Sequence, residues 1–212
     1  MQNPLPRGPF RTCKDIVLGS ASPRRQELLH RLGIDFHVLA STAPEPDWTR
    51  TSHSPDDFVL AAARSKAENV LRRTPRGVVL GADTVIVLEG EILGKPGSRA
   101  EALSMLKRLT GRTHRVLTGC CLMEQGGDAE SFAESTDVTV PRFEESILRA
   151  YVDTGECEGK AGAYAIQGVG SFLVQAVHGS YTNVVGLPLQ EVLFRLLRMN
   201  AVRTEQDGEK GA

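Results

Sequence analysis

Ile16-Val17-Leu18-Gly19-Ser20-Ala21-Ser22-Pro23-Arg24-Arg25-Gln26-Glu27-Leu28-Leu29 decides the fold class. Three apolar residues form a short strand, a turn of small residues follows, and Ser22 stands as N-cap before Pro23 at the first helical position. Leu28, Leu29 and Leu32 give that helix an apolar side, and Gly33 ends it. The result is a strand, a tight turn and a helix. The same stretch also carries chemistry. Free N–H groups at a helix N-terminus attract anions, while Arg24 and Arg25 in the first turn oppose the helix dipole. A bound phosphate would compensate them; two solvated arginines are the alternative.

Working outward, Ser54-Pro55-Asp56-Asp57 starts a second helix that runs through Phe58, Val59, Ala62 and Ala63 to about Val70, with Lys66 in its later turns. Val78–Leu88 is too β-branched and too apolar for a surface strand, so it is expected to be central in a sheet. Glu89-Gly90 turns the chain into Glu91–Leu93, and Lys95-Pro96 precedes a third helix bounded by Ser98 and Gly111. Strands at 114–123 and 132–140 flank a polar loop and form a hairpin. A helix at 144–152, a glycine-rich stretch at 155–170, a strand at 172–177 and a helix at 188–199 follow. Mixing βα units with adjacent strands predicts an α/β fold with a mixed sheet and flanking helices, in one domain of two lobes. Residues 15–199 form that domain, 1–14 a flexible N-terminal extension and 200–212 a disordered tail.

The 212 residues carry 25 Lys+Arg against 26 Asp+Glu, for a net charge of −1. That balance excludes a generally basic protein that coats nucleic acid, so attraction for an anion must come from a local cluster. The cysteines at 13, 120, 121 and 157 show neither C-x-x-C nor metal-type spacing, and no apolar run approaches the ~18 residues of a membrane span. A reduced, cytoplasmic setting without membrane or nucleic-acid partners is expected.

Asp83 interrupts an apolar run, where an unpaired charge costs several kcal/mol to bury. A metal, a lysine or a catalytic role explains it, as does a structural cap on a neighbouring loop. Lys66 and Lys95 gain interest only in company with Asp83 and the arginine pair, and Glu45, in Ala-Pro-Glu-Pro-Asp, reads equally as a solvated loop residue. Other signatures fail. Gly90-Glu91-Ile92-Leu93-Gly94-Lys95-Pro96 is one residue short of a Walker loop and has Pro96 where a hydroxyl residue belongs. Gly168-Val169-Gly170 lacks the third glycine of a dinucleotide fingerprint, and no G-x-S-x-G is present. Cys120-Cys121 reads as strand core.

Five blocks together resemble one family: residues 18–29, Gly81-Ala-Asp-Thr84, Gly94-Lys-Pro96, Gly159-Lys-Ala-Gly-Ala-Tyr-Ala-Ile-Gln-Gly168 and Gly179-Ser-Tyr-Thr-Asn-Val-Val-Gly-Leu-Pro-Leu189. They are similar, in order, to the Maf family of nucleoside triphosphate pyrophosphatases. The resemblance implies a fold related to the inosine triphosphate pyrophosphatases, with a cleft between two lobes, and metal-dependent hydrolysis of a nucleoside triphosphate to monophosphate and pyrophosphate. Arg24, Thr84 and Gln167 side with the dTTP/UTP branch of the family and against the 7-methyl-GTP branch, which is the runner-up. A nucleotide-binding regulator of septum formation with little turnover is a third reading, disfavoured because Asp83 is retained.

On this resemblance Asp83 is the catalytic carboxylate, Ser20, Ser22, Arg24, Arg25, Lys66 and Lys95 hold phosphates, and Thr84 and Gln167 face the base. Asp83 or Glu45 would bind Mg²⁺ or Mn²⁺. Pro44 ahead of Glu45 departs from the family pattern. A homodimer is expected from the family alone.

Overall fold

Consecutive β-branched and apolar side chains make Val78–Leu88 a strand buried on both faces, and the sheet is built around it. The computed structural model describes residues 8–44 and 54–204. In chain order the elements are β1 (Phe10–Thr12), β2 (Ile16–Leu18), α1 (Pro23–Arg31), β3 (His37–Val38), α2 (Pro55–Leu71), β4 (Val78–Leu88) and β5 (Glu91–Leu93). Then come α3 (Arg99–Leu109), β6 (Arg112–Glu124), β7 (Glu130–Val140), α4 (Glu145–Asp153), β8 (Ala176–His178), α5 (Tyr181–Val185), α6 (Leu189–Arg198) and β9 (Val202–Thr204).

Seven strands form a mixed sheet in the order β3-β2-β4-β6-β7-β8, with β5 also on β4. β2 runs parallel to β3 and β4, whereas β4, β6, β7 and β8 are antiparallel neighbours. The expected hairpin is β6–β7, and the expected central strand is β4. One register detail leaves an edge of β4 open. β2 leaves β4 at the pair Leu18–Leu80, and β5 joins it only at Ile86. Among the described residues, no strand therefore pairs with that edge of β4 over residues 81–85. The ends of parallel strands where a neighbour departs are where open α/β sheets form ligand crevices.

Side chains alternate along β4. Leu80 and Ala82 pack with α1 and α6 through Leu28, Leu29, Val192 and Leu196, while Ile86 and Leu88 on the same face pack with α3 and α4 through Leu106, Leu109 and Leu148. Thr84 lies between these two clusters, which gives the fold its two lobes. Each fully buried Leu contributes about 2 kcal/mol. The opposite face carries Gly81, Asp83 and Val85 and is covered by α2. A Cβ on Gly81 would lie 2.4 Å from the Ala63 carbonyl oxygen, and one on Gly119 2.2 Å from that of Val59. Two glycines opposite Val59, Ala63 and Ala67 thus let the helix backbone lie directly on the sheet.

Three features differ from the sequence-based expectations. The strand expected at 172–177 is a 3-10 turn, Val169–Leu173, followed by β8 at Ala176–His178, because Leu173 turns inward to the core of the α3/α4 lobe. Phe10–Thr12 and Val202–Thr204, expected within a flexible extension and a disordered tail, pair as an antiparallel ribbon. Val202 is buried and Phe10 packs on the α1/α6 core, so these few apolar residues suffice to order both ends. Finally, Ser22 precedes α1 as expected but makes no side-chain capping bond, unlike Ser54 and Ser98, which accept from Asp57 N and Glu101 N.

Candidate active site

The open edge of β4 forms one wall of a cleft of about 640 Å³. Ser20, Ser22, Arg24, Arg25, Lys66, Asp83, Thr84, Lys95 and Gln167 all line it, although they come from five separate parts of the chain. Glu45 lies outside the described residues. Ser41, Glu158, Lys160 and Tyr164 line the cleft as well and were not singled out in the sequence. Lys160 and Tyr164 sit inside the Gly159–Gly168 block, so position relative to Gln167 was the available signal. Ser41 carried none; its loop is tied to α2 because Asn69 Oδ1 accepts from Ser41 Oγ at 3.3 Å and from Thr42 N at 3.0 Å.

On the α2 face, Lys66 Nζ forms an ion pair with Asp83 Oδ1, with side chains only 16% and 17% exposed. The close approach of α2 through Gly81 and Gly119 brings the two together. Lys66 uses one carboxylate oxygen, and Asp83 Oδ2 accepts no hydrogen bond among the described residues. That leaves one oxygen of a held carboxylate for a water or a cation.

On the other face, Arg25 replaces the missing strand. Its Nη1 donates to the Ala82 carbonyl and to Ser20 Oγ, both at 3.0 Å, its Nη2 to Thr84 Oγ1 at 2.9 Å and its Nε to the Gly186 carbonyl at 2.7 Å. Four of its five N–H groups are thus held by protein acceptors. Burial lowers the pKa of this guanidinium, with the charge of Asp83 acting in the opposite sense. Thr84 Oγ1 also shares a proton with buried Thr118 Oγ1 at 2.9 Å and lies 3.4 Å from the Gly186 carbonyl. Arg25 and Thr84 therefore act first on each other, and Arg25 ties β4, the Gly19–Ser22 turn and the end of α5 into one unit.

Arg24 is different. Its guanidinium donates no hydrogen bond among the described residues, and burial lowers its pKa against the opposing influence of Tyr151 and Glu156. The amide of Gln167 likewise has no hydrogen-bond partner among the described residues. Cys120, by contrast, is inert core: burial pushes its thiol up to about 12.

The family model for Maf-like protein matches residues 15–199. The chain belongs to the Maf-like family. It is 45% identical to a dTTP/UTP pyrophosphatase of Nitratidesulfovibrio vulgaris, over 93% of this chain and 94% of that protein. A dTTP/UTP pyrophosphatase of Thermococcus gammatolerans is 44% identical over 85% of this chain and 94% of its own length. Among solved structures, a HAM1 protein from Coxiella burnetii aligns at a TM-score of 0.47 and 17% identity, covering 87% of this Maf-like chain and 98% of that one. No helix among the described residues is long and apolar enough to cross a membrane.

Proposed function

We propose that the chain hydrolyses dTTP and UTP to the nucleoside monophosphate and pyrophosphate. The observation that carries this reading is the gathering, in one cleft, of the Asp83–Lys66 pair, the cationic turn at the start of α1 and the Gln167 amide, which has no partner among the described residues. Its support from relatives is the shared dTTP/UTP pyrophosphatase name at 38–45% identity.

A triphosphate carries nearly four negative charges and needs fixed cations and hydrogen-bond donors around it. Arg24, Lys66 and Lys95 supply charge, the α1 N-terminus supplies N–H groups, and the Ser22 hydroxyl has no capping bond to hold it back. Arg25 contributes chiefly by holding this turn in place. Asp83 Oδ2 takes the proton of a water as its oxygen bonds to the α-phosphorus and the bond to the bridging oxygen breaks, releasing pyrophosphate. Lys66 keeps the carboxylate turned toward that water.

The donors fit a hard divalent cation, Mg²⁺ or Mn²⁺, which takes one or two carboxylates together with substrate phosphates and retained waters. Asp83 or Glu45 would help hold it, and when bound the cation would neutralise charge building on the leaving pyrophosphate. The Gln167 amide donates to a carbonyl of uracil or thymine and accepts from N3–H, whereas cytosine, with N3 an acceptor and its 4-amino group a donor, pairs only with the amide turned over. The proposed setting is the cytoplasm, consistent with four free cysteines, and the proposed assembly is a homodimer.

Pyrophosphate release by the purified chain over canonical and modified nucleoside triphosphates, with Mg²⁺, Mn²⁺ or EDTA, tests this. The expected result is fastest release from dTTP and UTP, lost in EDTA and in Asp83→Asn. Orthophosphate as the product, or nucleotide binding without turnover, would contradict it.

A further inference from the structure

Gln167 can select a base only if its backbone is held, because its own side chain finds no partner among the described residues. The N–H groups two and three residues beyond it, those of Val169 and Gly170, are both bound by one carboxylate. Glu156 Oε1 accepts from Val169 N at 2.8 Å, and Oε2 accepts from Gly170 N at 2.6 Å and from Tyr151 O–H at 3.0 Å. Buried Tyr151 closes the loop from the other side, since its oxygen accepts from Ala165 N at 3.3 Å. The segment is thereby clamped two residues before and two residues after Gln167.

The fit at Gly168 is close. Its φ is +88°, and a Cβ there would lie 2.2 Å from Glu156 Oε1, so a side chain at this position cannot coexist with the clamp. Glu156 is itself fixed: its N–H donates to Thr154 Oγ1 at 3.2 Å, and Lys160 Nζ donates to its carbonyl. The backbone that carries the carboxylate is therefore held on both sides, and the 165–170 segment is bound to that carboxylate.

We propose that Glu156 is a positioning residue for base selection, acting through the backbone of residues 165–170 on the Gln167 amide. This rests on the proposed pyrimidine triphosphatase activity. Glu156→Gln replaces one acceptor oxygen with an NH₂ group, which then faces another N–H donor, so the clamp loses at least one bond while side-chain volume is kept. Its effect must depend on what Gln167 does.

The test is a double-mutant cycle on the full chain, reading kcat and KM for UTP, dTTP and CTP in Glu156→Gln, Gln167→Ala and the double variant. Glu156→Gln is expected to lower efficiency on UTP and dTTP about ten-fold, mostly through KM, and to change CTP by less than about two-fold. In the Gln167→Ala background it should add less than about two-fold. Glu156→Asp, which keeps both acceptors, should recover part of the loss, and Tyr151→Phe, which removes one hydroxyl, should shift selectivity the same way by about two- to three-fold if Glu156→Gln fails to fold. Equal losses on all three nucleotides, or losses that multiply with Gln167→Ala, would overturn the assignment to Glu156. An unsubstituted chain that releases no pyrophosphate would instead overturn the activity on which it rests.

Discussion

Replacing Arg25 separates a bracing role from a phosphate-binding role. In Arg25→Ala the Ala82 and Gly186 carbonyls, Ser20 Oγ and Thr84 Oγ1 all lose a charged donor at 2.7–3.0 Å. Hydrogen bonds to a charged group contribute about 1.5–3 kcal/mol each, but four to one group are not additive, and water can enter from the cleft to replace some of them. Relief of the guanidinium's desolvation offsets part of the loss as well. A net destabilisation of about 3 kcal/mol is the expected outcome, equivalent to a fall in Tm of about 6–12 °C for a chain of this size. Arg25→Lys keeps the charge but loses the planar fork, so most of that loss should remain. Thermal unfolding of both variants without nucleotide, beside steady-state kinetics, provides the measurement. A Tm within about 2 °C of the unsubstituted chain, together with a large loss of turnover, would show that Arg25 acts on substrate and not on the fold.

Asp83→Asn should lower turnover by at least ~10²-fold with nucleotide binding retained, checked by rapid-quench kinetics and calorimetry. Gln167→Glu should lower efficiency on dTTP and UTP by ~10-fold or more, because an ionised carboxylate can only accept and meets a base carbonyl unfavourably. Gly119→Ala forces a Cβ to within 2.2 Å of the Val59 carbonyl oxygen, so α2 must move; a loss of about 1–3 kcal/mol in urea unfolding, with reduced turnover as Lys66 leaves Asp83, is expected. His114 is 2% exposed, and burial lowers its pKa from 6.5 to about 4. The unfolded chain therefore takes up a proton that the folded chain refuses, and stability should fall as pH drops from 6.5 toward 4, by about 2–3 kcal/mol near pH 4.5. His114→Gln should flatten that part of the urea-midpoint profile.

Much of the candidate site was legible because the residues that line the cleft fall in short local motifs. The α1 turn, Asp83 in an apolar strand and the Gly159–Gly168 block that carries Gln167 each break a pattern that core packing would otherwise impose. What was not legible depends on register. Nothing in residues 16–18 or 91–93 says that β2 stops at Leu80 and β5 starts at Ile86, yet that gap makes the cleft. It also gives Arg25 a strand carbonyl to bind, so a residue that reads as a phosphate ligand is mostly held by protein. Glu156 was invisible for a related reason: a glutamate in a polar stretch reads as solvated until Val169 and Gly170 fold back onto it. The terminal ribbon escaped notice because Phe10 and Val202 are apolar residues in polar surroundings and meet on the same α1/α6 core only in three dimensions.

The central claim is that water, activated at Asp83, attacks the α-phosphorus. Hydrolysis of dTTP in water enriched in the heavy oxygen isotope, with mass analysis of both products, tests it most directly. Label in the phosphoryl group of dTMP and none in pyrophosphate is the predicted result, with incorporation nearly abolished in Asp83→Asn. Label in pyrophosphate would place the attack on the β-phosphorus and contradict the account.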